Sequence, residues 1–95
     1  MLNYQKVPVR YMLSGMKRYV EYGIQPGSFL TAVLENNLLE AVNYGDASNG
    51  TNLVEWVRFC YNELPANIWG SPEKVQAHIE ACALKRAEQA QGEQG

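Results

Sequence analysis

Apolar side chains recur three and four positions apart along most of this chain, and no stretch of useful length alternates apolar with polar residues. A strand repeats every two residues and a helix every 3.6, so the spacing predicts an all-α fold of about four helices. Ninety-five residues make one domain, with a core small enough that a lone subunit is marginal. The expectation is a single helical domain over 1–87, assembled as a homo-oligomer, with a flexible C-terminal tail over 88–95 that has nothing apolar to bury.

The first helix follows Pro8, whose missing N–H suits a first turn. Met12, Met16, Tyr19 and Val20 supply its apolar face, and Gly23 ends it. Gly15 sits mid-helix at a cost relative to alanine; close approach by a backbone or ligand would explain it, as would tolerated weakness. Gln25-Pro26-Gly27-Ser28 turns the chain into a second helix carrying Phe29, Leu30, Val33, Leu34, Leu38, Ala41 and Val42, which Asn36-Asn37 bend or split. Asp46 to Asn52 reads as a polar connector. The third helix spans about Asn52 to Leu64, with Leu53, Val57, Cys60 and Leu64 facing inward. Trp56 and Phe59 on one side, with Val54 and Tyr61 on the other, leave it more apolar than a small monomer needs, which points to an interface. In the last helix Ser71 is the N-cap, Pro72 the first residue, and Val75, Ile79, Cys82 and the stem of Arg86 the inner stripe; order fades from about Ala87.

Charge is unevenly placed. The first twenty residues contain Lys6, Arg10, Lys17 and Arg18 and no acid, although the whole chain has a formal charge of −2. Tyr4, Tyr11 and Tyr19 are interleaved with these cations, and cations beside aromatic faces can grip a phosphorylated, base-bearing ligand. Net acidity disfavours a DNA-coating protein. Two cysteines are too few for a disulfide framework and fit a reducing cytosol. The N-terminus shows no signal-peptide pattern, and no run approaches the roughly 20 apolar residues that span a bilayer. A cytoplasmic protein is expected.

Two helix starts, Pro26-Gly27-Ser28 and Gly70-Ser71-Pro72, could present backbone N–H groups to an anion, with glycine permitting close approach; ordinary helix punctuation uses the same residues. Arg10 and Arg18 are candidate phosphate partners, because a planar guanidinium meets two phosphate oxygens and also stacks on bases. Lys17 and Arg58 are weaker candidates of the same kind. Tyr11 is the preferred stacking platform. Tyr19 and Trp69 are further aromatic candidates, whereas Trp56 belongs to core or interface. His78 and Cys82 stand four apart on one helix but have no second pair, so neither a metal site nor a nucleophile is expected there. No cofactor is called for. The scattered glutamates offer no convincing acid–base pair, and the chain reads as a binder rather than an enzyme.

The run Gly15-Met-Lys-Arg-Tyr-Val-Glu-Tyr-Gly-Ile-Gln-Pro-Gly-Ser-Phe-Leu-Thr-Ala-Val-Leu-Glu-Asn-Asn-Leu38 resembles a widespread family of small bacteriophage proteins. So do Tyr61-Asn-Glu-Leu-Pro65 and Trp69-Gly-Ser-Pro-Glu-Lys-Val75, so that the likeness covers most of 14–75. That family resembles the phage anti-CBASS sponges, small oligomers that bind cyclic nucleotide immune signals without cleaving them. The resemblance implies a tetramer-like assembly, a cyclic dinucleotide or related nucleotide ligand, and action in the cytoplasm of an infected bacterial host. It implies a pocket drawn from Arg18, Tyr19, Pro26, Gly27, Ser28, Trp69, Gly70 and Ser71. A different function, a phage module that inhibits or recruits a host protein, would use the apolar third helix.

Overall fold

The computed structural model describes residues 2–47 and 52–94, with side chains as far as Gln89. Five α-helices fall within those residues: α1 (Leu13–Tyr22), α2 (Ser28–Leu34), α3 (Leu38–Tyr44), α4 (Leu53–Glu63) and α5 (Pro72–Gln94). Short 3₁₀ turns cover Tyr4–Lys6, Arg10–Met12 and Ala66–Ile68, and no strand occurs among the described residues. The all-helical expectation therefore holds. The connector expected over Asp46 to Asn52 lies largely outside the described residues, at 48–51.

Gly23 fixes the corner after α1. It adopts the left-handed conformation at φ 66°, and its N–H and that of Ile24 return to the carbonyls of Tyr19 (2.9 Å) and Arg18 (3.4 Å). Both features mark a glycine-terminated helix. A side chain there would also collide with α5, standing 2.9 Å from Cys82 Sγ. On the inner face of α1, Met16 and Tyr19 are fully buried. The Tyr19 hydroxyl donates to the Ile68 carbonyl at 2.6 Å, and its ring meets His78 edge-on at 4.8 Å. His78 Nε2 in turn donates to the Tyr19 carbonyl at 2.8 Å. One tyrosine thus ties α1, the 66–68 turn and α5 together.

Nearly all of α2 is inside: Phe29, Leu30, Ala32, Val33 and Leu34 are buried. The helical stretch expected over 28–44 is split into α2 and α3 by Asn36 at φ 61°. Asparagine tolerates that conformation better than most residues. Asn37 then caps α3, its Oδ1 accepting the Glu40 N–H at 3.2 Å.

α4 is rotated from its expected setting. Trp56, Phe59 and Cys60 face the core, while Val57 is 42% exposed. The rings explain the rotation: Trp56 meets Phe29 and Phe59 edge-on at 6.2 and 6.3 Å, and aromatic area outweighs a valine in the contest for burial. Trp56 Nε1–H has no hydrogen-bond partner among the described residues. Burial also pushes the Cys60 thiol up to about 12, in keeping with a packing cysteine. Both cysteines are free thiols.

At α5, Ser71 Oγ accepts the Lys74 N–H at 3.2 Å, the cap foreseen from sequence. Val75 is buried, Ile79 and Cys82 are half-buried, and the exposed Arg86 donates to the Tyr22 carbonyl. The backbone stays helical through Gln94, beyond the fading expected near Ala87. Ala, Glu, Gln, Lys and Arg all favour a helix already nucleated upstream. This long helix draws the molecule out to 49 × 25 × 21 Å. No helix among the described residues is long and apolar enough to cross a membrane.

Candidate functional site

The basic N-terminal segment folds into two unlike halves. Lys6 pairs with Glu63 at 3.4 Å, and the Asn3 backbone N–H donates to the same carboxylate at 2.8 Å. The Asn3 N–H, foremost, and Lys6 hold the Glu63 carboxyl below its ordinary value. Lys17 lies over the Tyr4 ring at 5.8 Å. Partial burial, then the hydrogen bond to Glu21, lift the Tyr4 phenol to about 12. These two cations therefore pin the N-terminus to the bundle. Arg10 and Arg18 are exposed, and neither forms an ion pair among the described residues.

Arg18 borders an open cleft of about 250 Å³ where the start of α1 faces the turn before α2. Tyr11, Gly15, Gln25, Pro26, Gly27 and Leu30 also line it. Tyr11 is 61% exposed, and its hydroxyl donates to the Asp46 carboxylate, which ties the ring at the mouth. The two glycines are not demanded by packing. A Cβ on Gly27 would meet nothing within 4 Å, and one on Gly15 would make ordinary contact with Leu30 Cδ1 at 3.6 Å. Gly27 has φ −64°, open to any residue. Their smallness keeps backbone accessible along the cleft.

Four of the expected site residues, Tyr11, Arg18, Pro26 and Gly27, thus come together. The others do not join them. Arg10 lies in the preceding turn and does not line the cleft. Ser28 is the first residue of α2, after the N-cap Gly27, and opens onto a neighbouring cleft. Tyr19 is a correction: it is wholly enclosed, with its hydroxyl spent on Ile68, and has no face left for a ligand. Burial is the leading reason that its phenol lies far above the ordinary range. Trp69, Gly70 and Ser71 are likewise placed elsewhere, at the far end of α2. Trp69 packs on the core, the Gly70 N–H donates to the Leu34 carbonyl at 2.7 Å, and Ser71 caps α5. Those groups brace the fold because the α2 C-terminus needs donors there.

The neighbouring cleft, of about 300 Å³, shares Gln25, Pro26 and Gly27 with the first. Glu35, Asn37, Glu40 and Tyr44 complete it. Glu35 and Glu40, scattered glutamates in sequence, line one cleft because the break at Asn36 folds α3 back beside the turn before α2. Gly15 had given a signal, a mid-helix glycine with a standing cost. Asp46 had given none.

His78 and Cys82 do meet, with Sγ 3.9 Å from Nδ1, and the Tyr19 carbonyl orients the ring. Among the described residues no group of three or more His, Cys, Asp or Glu side chains could hold a metal ion. The arrangement that remains is a small helical protein with two joined surface clefts of opposite charge. Comparison with protein-family models, with curated proteins and with solved structures finds no match.

Proposed function

We propose that this chain is a phage anti-defence sponge: it binds a nucleotide immune signal, of the cyclic dinucleotide kind, and sequesters it uncleaved in the cytoplasm of the infected host. The observation that carries the proposal is the shared cleft of Arg18, Tyr11 and the Pro26–Gly27 edge. Arg18 is exposed and has no ion pair among the described residues, so its guanidinium can offer a two-pronged contact to phosphate oxygens. The Tyr11 ring offers a base a stacking face, and Gly27 leaves room for the sugar–phosphate to approach. Asp46 steadies Tyr11 and, being anionic, favours seating the phosphate toward Arg18. In a homo-oligomer, with a tetramer favoured, these shallow clefts would close against a neighbouring subunit.

Thermal shift against a panel of cyclic oligonucleotides and ADP-ribose-type signals tests this. Stabilisation by at least one, with that compound recovered intact by chromatography after heating, is the expected result. Arg18→Ala should weaken the binding of that compound by roughly 10- to 100-fold, the worth of one charge-assisted hydrogen bond. Absence of any shift well above micromolar ligand, or recovery of a cleaved product, would overturn the proposal.

A second function, a module that captures a host protein, is favoured by exposed apolar side chains on two helices. These are Leu38, Leu39 and Val42 on α3 and Val54, Val57 and Tyr61 on α4, with Leu38 and Val57 lining one shallow hollow. Affinity capture from infected cells that returns a stoichiometric host protein, lost in Tyr61→Glu, would support that function instead.

A further inference from the structure

The cleft that carries Glu35 and Glu40 is continuous with the Arg18 cleft across the Pro26–Gly27 ridge. Both residues are half-buried, and neither carboxylate has a cation or a hydrogen-bond donor among the described residues. A carboxylate is purely an acceptor, with two oxygens side by side that suit a pair of N–H donors. Beside them Tyr44 presents an exposed ring, and Asn37 adds an amide. The two clefts thus set a cationic, phosphate-suited hollow against an acceptor-rich, aromatic one. A nucleotide has matching halves.

Resting on the nucleotide-binding function above, we infer that the base held in this second cleft is guanine, read along its Watson–Crick edge by Glu35 and Glu40. Guanine alone among the common bases carries two adjacent donors there, N1–H and the N2 amino group, and a carboxylate accepts both side by side. Adenine and cytosine each place a ring-nitrogen lone pair next to their amino group, which would face a carboxylate oxygen and repel it. Uracil offers a single N–H between two carbonyls. A site built on acceptors therefore disfavours all three, because none of them can give both oxygens of one carboxylate a donor. Tyr44 supplies the stacking face, and phosphate lies across the ridge at Arg18, away from the carboxylates.

Calorimetric titration of the full-length protein with cyclic di-GMP and cyclic di-AMP decides the matter. Cyclic di-GMP should bind at least about tenfold more tightly, a modest return for a two-donor contact. In the double variant Glu35→Gln, Glu40→Gln, cyclic di-GMP should weaken until the preference disappears, while cyclic di-AMP binding does not fall. Equal affinity of the unaltered protein for the two compounds would overturn the guanine assignment and leave the sponge function standing. A preference that survives in the double variant would overturn the role of the two carboxylates. Failure to bind either compound, or any other nucleotide in the panel, would remove the function on which the inference rests. The comparison on the unaltered protein needs no variant to fold.

Discussion

Three glycines show how differently one residue type can be used. Gly23 is required by conformation and by contact, because φ is positive and Cys82 leaves no space for a side chain. Gly23→Ala should cost about 2–4 kcal/mol, the sum of a left-handed alanine and an overpacked crossing, measurable by urea unfolding. Gly27 is the opposite case. Gly27→Val should cost about 1 kcal/mol, since valine is a poor N-cap for α2, yet lose the thermal shift given by a bound cyclic dinucleotide altogether, because the new side chain fills the ridge between the clefts. Gly15 is intermediate. Gly15→Ala should stabilise α1 by about 0.5–1 kcal/mol while weakening the same ligand, separating fold from binding in one substitution.

Among the elements, the N-terminal segment depends most plainly on charge. Its anchor is Glu63, whose carboxyl titrates below the ordinary 4.5 because the Asn3 N–H and Lys6 favour the anion. A group with a depressed folded value contributes stability that is complete above about pH 4.5 and is lost as pH falls through the lower value. Melting temperature followed from pH 6 to pH 3 should therefore drop more steeply in the parent than in Glu63→Gln, which carries no such proton. Parallel curves would show that the anchor does not contribute. The break between α2 and α3 has a local cause in Asn36, and a β-branched residue tolerates φ 61° poorly. Asn36→Val should accordingly lower stability by about 1–2 kcal/mol, whereas Asn36→Gly should not.

For the whole molecule, the rotation of α4 leaves apolar side chains exposed that the core does not use. Trp56 and Phe59 lie in the core, so Trp56→Glu would unfold the chain and could not report on a partner. Val57, exposed beside Leu38, and the exposed Tyr61 are the positions that can. If this face joins subunits, native mass spectrometry will return a multiple of 10.7 kDa, and Val57→Lys will shift it to the single chain without lowering helicity. A parent that already runs as one chain would remove the self-association and favour a host partner for that face.

Local rules set much of this molecule. Helical spacing, Gly23 as a terminator and Ser71-Pro72 as an initiator are decided within a few residues of chain, so the all-helical class and two helix ends were legible in the sequence. Tyr11, Arg18 and the Pro26–Gly27 turn each drew notice through local signals, but that they line one cleft is a result of the tertiary structure. Helical spacing put Tyr19 on the apolar face of α1 but did not reveal the completeness of its enclosure: the distant Ile68 carbonyl and His78 ring take up its hydroxyl and edge and leave nothing for a ligand. The setting of α4 and the meeting of Glu35 with Glu40 around one cleft were settled in the same way, by contacts between helices. Periodicity states which residues share a face, but the direction of that face depends on competition for burial among all the helices at once, and that competition exists only in the folded chain.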